Sequence, residues 1–240
     1  MRRAGHVVGE TLSVLVDATK PGISTFDLDH IARDEIISRG AIPSFLGYLD
    51  YPAHICTSFN EEIVHGIPGD RMIRDGDILS IDCGAIVEGF HGDAAVTICV
   101  GNVPDQVRKL VETTYDSMVA GIAAACVGAH LGDISSAVQT RAEADGFGVV
   151  REYVGHGIGQ EMHEEPMVPN YGEPAKGLTL RKGLIVAIEP MLTAGDWHTV
   201  VGPDRWTVST KDGSLSAHFE HTVAITDSGP EVLTSVDGNP

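Results

Sequence analysis

The chain has 240 residues, 42% apolar and 21% charged, with 28 Gly and 12 Pro, so it is globular rather than disordered. Lys and Arg total 16 against 34 Asp and Glu, a formal charge of −18. That charge repels phosphate backbones and anionic headgroups, which excludes a general nucleic-acid or membrane-surface role. The four cysteines form no CxxC pair and read as reduced thiols of a cytoplasmic protein. Gly9, Glu10 and Asp17 interrupt any signal-peptide core, and the longest uncharged run, 117–132, falls short of a membrane span.

In chain order, Val7, Val8, Leu12 and Leu15 predict a first helix over 2–18, stopped by Lys20-Pro21-Gly22. It starts almost at the first residue, so a short lead ahead of it is expected. A second helix opens at Ser24 or Thr25, carries Leu28, Ile31, Ala32 and Ile36 at helical spacing, and ends at Gly40. Short apolar runs with Gly punctuation predict strands over 78–83 and 94–100. The strongest period follows, from Val107 through Leu110, Val111, Thr114, Met118 and Ile122 to Cys126, and predicts the third helix. A fourth helix spans 133–145, and further strands are expected over 149–154, 184–188 and 218–225.

The chain also repeats itself. Gly22, Asp27, Leu28 and Gly40 recur 106 positions later as Gly128, Asp133, Ile134 and Gly146. Arg74-Asp-Gly-Asp-Ile-Leu-Ser-Ile-Asp82 recurs 107 later as Arg181-Lys-Gly-Leu-Ile-Val-Ala-Ile-Glu189. Asp93-Ala-Ala-Val-Thr-Ile98 matches Glu220-His-Thr-Val-Ala-Ile225. Three matches in one order predict a duplicated helix-then-hairpin unit in a single α/β (α+β) domain over 1–240. Its halves cover about 1–102 and 103–240 and face each other across a pseudo-twofold axis. The paired acids lie 11 residues apart in the first half and 31 apart in the second. The extra segment holds Trp197, His198 and Trp206, and is where substrate selectivity is expected.

Four acids, Asp82, Asp93, Glu189 and Glu220, end or begin these strands among small apolar neighbours, with no basic residue beside them. A lone carboxylate is costly to desolvate, so four that converge require cations, and a pair of divalent ions is the simplest answer. Among 11 histidines, His156 and His163 stand out in Gly155-His-Gly-Ile-Gly159-Gln-Glu-Met-His163-Glu-Glu-Pro166. Either Gly-His-Gly or His65 in Val64-His-Gly-Ile-Pro68 would alone pass as an ordinary turn.

The set Asp82, Asp93, His156, Glu189 and Glu220 resembles the metal-binding residues of the type I methionine aminopeptidases. So do Val64-His-Gly-Ile-Pro68, Ile188-Glu-Pro-Met191 and the long stretch from Trp206 to Thr222, and the likeness spans essentially the whole chain. The early start departs from relatives that carry N-terminal extensions. The resemblance implies the pita-bread fold, with the metal site between its halves. It makes Asp82 a bidentate ligand of one metal, His156 and Glu189 ligands of the other, and Asp93 and Glu220 the bridges. One imidazole and four carboxylates suit Co, Mn, Fe or Zn without choosing among them.

His65 and His163 would contact substrate, and Tyr48, Tyr51, Cys56 and Trp206 would surround a methionine side chain, with Phe45 a further wall. Asn60, Glu62 and Ser216 match positions whose backbone carbonyls hold a monovalent cation in some relatives. The implied activity is removal of the N-terminal methionine of nascent proteins when the second residue is small. A hydroxide bridging two divalent metals attacks, Glu189 moves the proton, and His163 steadies the oxyanion. The partner expectations are a nascent N-terminus, a monomer, and a transient ribosome contact. A pita-bread peptidase cleaving before proline, a non-catalytic binding module, and a metalloenzyme on an unrelated carboxylate scaffold are the other readings. The first usually needs an additional N-terminal domain, the second would not keep five ligands, and the third does not explain the repeats.

Overall fold

The computed structural model describes residues 1–236. The first helix, α1 (Arg2–Ala18), buries Val7, Val8, Leu12 and Leu15 along one stripe, the face its spacing predicts. The second, α2 (Thr25–Ser38), opens on a capping box: Ser24 Oγ accepts from the Asp27 N–H, and Asp27 Oδ2 accepts from the Ser24 N–H. Next come β1 (Ile42–Pro43), a turn at Tyr48–Asp50, β2 (Ile55–Phe59) and β3 (Glu62–Val64). A long hairpin follows, β4 (Ile78–Val87) with β5 (Phe90–Cys99).

The order then returns. α3 (Asp105–Ala124) and α4 (Leu131–Ala144) precede β6 (Gly148–Val149), β7 (Gly155–Gly157) and β8 (Glu164–Val168). β9 (Ile185–Ile188), β10 (Met191–Thr193), β11 (Thr199–Val201) and β12 (Val208–Thr210) follow. The described chain closes on β13 (Ser216–His218), β14 (Glu220–Thr226) and β15 (Gly229–Val232). No helix among the described residues is long and apolar enough to cross a membrane.

Nine strands form one sheet whose main path runs β1-β4-β5-β14-β9-β7-β8. The hairpin β4–β5 of the first unit meets β14–β9 of the second at the β5–β14 pairing, near the middle of that path. Side chains alternate across the sheet. Leu79, Ile81, Cys83 and Ala85 point to α1 and α2, in a core with Val8, Leu15, Leu28 and Ile36. Val186, Ile188, Val223 and Ile225 join Met118, Ile122 and Ile134 of α3 and α4 in a second core. Both helix pairs thus cover one face of the sheet, and the intervening residues of each strand face the other way.

Three expectations change. β4 runs past its predicted end and β5 starts before its predicted start, so Asp82 and Asp93 lie inside strands rather than at their tips. The predicted strand over 149–154 is ladder only at Gly148–Val149; the backbone beyond it pairs again at Gly155. The run 218–225 breaks at Phe219, where the chain leaves the small sheet β13-β10-β6 and enters the large one.

Candidate metal and peptide site

Register assembles the acids. Cys56, Asp82, Ala95 and Glu220 form one cross-strand row through β2, β4, β5 and β14. Residues in such a row share a face, so Asp82 and Glu220 point the same way, with only the methyl of Ala95 between them. Asp93 lies two residues before Ala95 and joins that face. Glu189 follows the end of β9 beside Glu220, and His156 on β7 completes the group.

Asp93, His156 and Glu220 are buried and Asp82 and Glu189 partly so, and the oxygens Asp82 Oδ1, Asp93 Oδ1 and Glu220 Oε1 have no hydrogen-bond partner. Burial pushes the Asp82 carboxyl up to about 7. It drives Asp93, Glu189 and Glu220 well above the ordinary carboxylate range, with the neighbouring negative charges adding to the effect. None of the residues lining the cavity is Lys or Arg. Such a cluster calls for cations.

The histidine gives the sharper indication. His156 Nδ1 lies 2.9 Å from the Gly157 carbonyl, which can only accept, so Nδ1 carries the proton. Burial holds the ring neutral, its pKa lowered to about 4. Nε2 therefore aims a lone pair at Glu189 Oε1, 3.5 Å away, and at Asp93 Oδ2, 4.0 Å away. A lone pair facing two carboxylates is repulsive until a positive ion sits between them. Asp93, His156 and Glu220 can supply ligand atoms to one point, as can Glu189, His218 and Glu220. This oxygen-rich donor set with imidazole fits divalent cations.

Beside the acids the cavity becomes aromatic. Tyr51 meets Trp206 edge-on at 5.0 Å between centroids and Phe45 at 6.4 Å, with Cys56 and Met162 buried among them. The Tyr51 hydroxyl shares its one proton between the carbonyls of Gly66, 2.9 Å away, and Ile55, 3.1 Å away. Trp206 arrives from the extra segment of the second unit, whose β11–β12 hairpin pairs with β3 of the first. Trp197 does not reach the cavity; it stacks on His198 at 3.8 Å.

His163 lies at the rim, its ring 4.3 Å from that of His156 and its Nδ1 2.7 Å from the Tyr48 hydroxyl. His65 lies edge-on to Trp206 at 6.3 Å, and burial lowers its pKa to about 4. Its φ of 61° lies in the left-handed region, an uncommon place for a non-glycine residue. Away from the cavity, the Asn60 carbonyl accepts from the Ser216 N–H at 2.8 Å, and Glu62 Oε2 accepts from the Phe59 N–H.

The structure thus brings together all the predicted metal-site and pocket side chains. It adds three that the sequence reading did not name: Met162, Leu49 and His218. The first two line the pocket. His218 is 2% exposed, with its pKa lowered by burial to about 3, and its Nε2 lies 3.8 Å from Glu189 Oε2. A signal for it was present, because in the run His218-Phe219-Glu220 alternate residues share a face.

Residues 1–227 match Metallopeptidase family M24. A methionine aminopeptidase of Clostridium acetobutylicum is 53% identical over 98% of this chain and 94% of its own length. The crystal structure of methionine aminopeptidase from Thermotoga maritima superposes with a TM-score of 0.97 at 43% identity, covering 98% of this chain and 95% of that one. A prolidase from Pyrococcus furiosus, 22% identical with a TM-score of 0.76, covers 98% of this chain and 63% of its own and shares the fold alone. That common fold is the pita-bread fold, here an antiparallel sheet backed by two helix pairs. The chain belongs to metallopeptidase family M24 and, within it, to the methionine aminopeptidases.

Proposed function

We propose that the chain hydrolyses the first peptide bond of cytoplasmic nascent proteins and peptides that begin with methionine followed by a small residue. The observation that carries this is one cavity with two ends: a buried set of four carboxylates and a lone-pair-bearing imidazole, continuous with a pocket of Tyr51, Cys56, Met162 and Trp206. The acidic end attracts a cationic α-amino group. The aromatic end suits an unbranched, polarisable thioether.

Asp82, Asp93, His156, Glu189 and Glu220 hold the metals in this reading, and Co, Mn, Fe and Zn all suit the donors. When bound, divalent ions lower the pKa of water towards neutrality and polarise the scissile carbonyl. Glu189 takes the proton of the attacking water and passes it to the leaving nitrogen. With the Tyr48 hydroxyl, 2.7 Å from Nδ1, as the donor, the His163 ring keeps Nε2–H to donate to the developing oxyanion. His65, beside Trp206, hydrogen-bonds the substrate near the scissile amide. The C–N bond breaks, water supplies OH to the methionine carboxyl and H to the new amine, and the chain leaves one residue shorter.

A monovalent cation on the backbone carbonyls of Asn60, Glu62 and Ser216 belongs to the same reading. The Ser216 N–H bond to the Asn60 carbonyl, which holds two of these segments together, supports it. The test is exhaustive chelation followed by add-back of Mn, Co, Fe and Zn on a Met-Ala-Ser peptide. Activity should vanish and return; full activity in a verified metal-free preparation would overturn the proposal.

A further inference from the structure

His218 is an imidazole for which the reading above has no use, yet its location is constrained on every side. Its backbone N–H donates to Thr97 Oγ1 at 2.8 Å, and the Thr97 hydroxyl donates to the His218 carbonyl at 2.7 Å. That spends the single Thr97 proton, so the Ser80 hydroxyl, 2.8 Å away, must be the donor to Thr97. Two buried residues, Thr97 on β5 and behind it Ser80 on β4, therefore clamp the backbone of His218 on β13. Its Nε2 is a buried polar atom with no hydrogen-bond partner, directed at the carboxylates.

Glu189 lies between two imidazoles. Its Oε1 is 3.5 Å from His156 Nε2, and its Oε2 is 3.8 Å from His218 Nε2. Its own backbone is pinned, since Asn170 Nδ2 donates to the Glu189 carbonyl at 3.0 Å. The terminal carboxylate torsion of its side chain is soft. A carboxylate with both oxygens unassigned can turn either one to a metal or to a proton.

We propose that His218 is a positioning residue for Glu189, donating Nε2–H to Oε2 and so leaving Oε1 turned towards His156. The 3.8 Å separation is longer than a hydrogen bond, and rotation of the Glu189 carboxylate as Oε1 engages a cation closes it. Ligating carboxylates are themselves commonly hydrogen-bonded, and losing such a partner typically costs about 10–100-fold in metal affinity or activity. The inference rests on the metal-site reading above but concerns a residue outside its ligand set.

The test uses two near-isosteric replacements, of which only one retains an N–H donor: His218→Gln and His218→Met. Co²⁺ is the probe, with bound metal counted, affinity titrated and the visible absorption band recorded alongside kcat and KM for Met-Ala-Ser. His218→Met should bind as many Co²⁺ ions as the parent. Its Co²⁺ affinity or kcat should fall about 10–100-fold, with a shifted band and KM changed less than kcat. His218→Gln should recover most of the loss. If His218→Met does not fold, His218→Asn takes its place, because its amide is too short to reach Glu189. Loss of a whole ion per chain would make His218 a ligand and overturn the positioning role. So would parental spectra and kcat in His218→Met, or equal losses in Met and Gln. If the parent protein binds Co²⁺ but does not cleave the peptide, the functional reading fails while the spectra still decide the role of His218.

Discussion

Stripping metal should make the protein lose stability as pH rises above neutrality, and the buried site sets both the sign and the window. In an unfolded chain carboxylates titrate near 4, whereas Asp82 is pushed up to about 7 and Asp93, Glu189 and Glu220 are also raised. The native metal-free state therefore holds more protons than the unfolded state, and stability falls with rising pH. Buried histidines act in the opposite direction. His65, His156 and His221 are lowered to about 4 and His218 to about 3, so between those values and about 6.5 the unfolded chain binds more protons and stability rises with pH.

The two groups oppose each other below about pH 6.5, and only the carboxylates act above it. Burial holds all four carboxyls above their unfolded values, so ionising the metal-free site costs stability as a set rather than residue by residue. Each proton the site retains should cost about 1.4 kcal/mol per pH unit, or about 3–5 °C in Tm for a chain of this size. Bound cations replace those protons and remove the slope, and metal at about 100 times its Kd adds about 2.7 kcal/mol. The assay is Tm between about pH 6.5 and about pH 8, with chelator, with Mn²⁺, and for metal-free Glu220→Gln, whose slope should be shallower. A metal-free Tm that stays flat or climbs across that window, parallel to the loaded protein, would refute the convergence of uncompensated carboxylates.

His156→Ala should weaken metal binding, whereas His163→Ala should keep its metal and lose about 10²–10³ in kcat, as expected for an oxyanion donor. Metal content measured beside kcat decides this, and equal metal loss in both contradicts the assignment. Gly66→Ala should destabilise the protein by about 1–3 kcal/mol, because the added Cβ would overlap the Thr57 carbonyl where the loop after β3 touches β2. Denaturant unfolding reads it, and an unchanged midpoint would mean that this contact can yield.

The helices were legible because each carries a 3.6-residue stripe and a stop, as in Val7-Val8-Leu12-Leu15 before Pro21-Gly22. The hairpins were legible through repetition, which paired Asp82 with Glu189 and Asp93 with Glu220 before any strand was placed. Strand ends were harder. Gly84 and Gly92 look like punctuation in the sequence, but in the sheet they are ladder positions. The short pairings of β6, β10 and β13 depend on partners far along the chain, and no local period announces them.

At the site, the four converging acids were visible as charges without counter-charges in apolar strands. The pocket residues came only from family likeness, since Tyr48, Tyr51 and Cys56 lie in irregular or short segments that Trp206 meets from the other unit. Met162 had no signal of its own beside His163. His218 did, in its alternation with Glu220, but the strand break at Phe219 separates the two into different sheets.

Selectivity at the two residues flanking the cleaved bond tests the central claim most directly. The measurement is kcat/KM for the metal-loaded protein on Met-Ala-Ser, Val-Ala-Ser, Met-Leu-Ser and Met-Pro-Ser, with products identified by mass. Met-Ala-Ser should exceed Val-Ala-Ser by about 10–200-fold, the range a shaped apolar pocket gives for small side-chain differences. It should also exceed Met-Leu-Ser, because the metal end of the cavity leaves little room for a large second side chain. Equal cleavage of Met-Ala-Ser and Val-Ala-Ser, or faster cleavage before proline than before alanine, would contradict the methionine assignment even with every metal ligand verified.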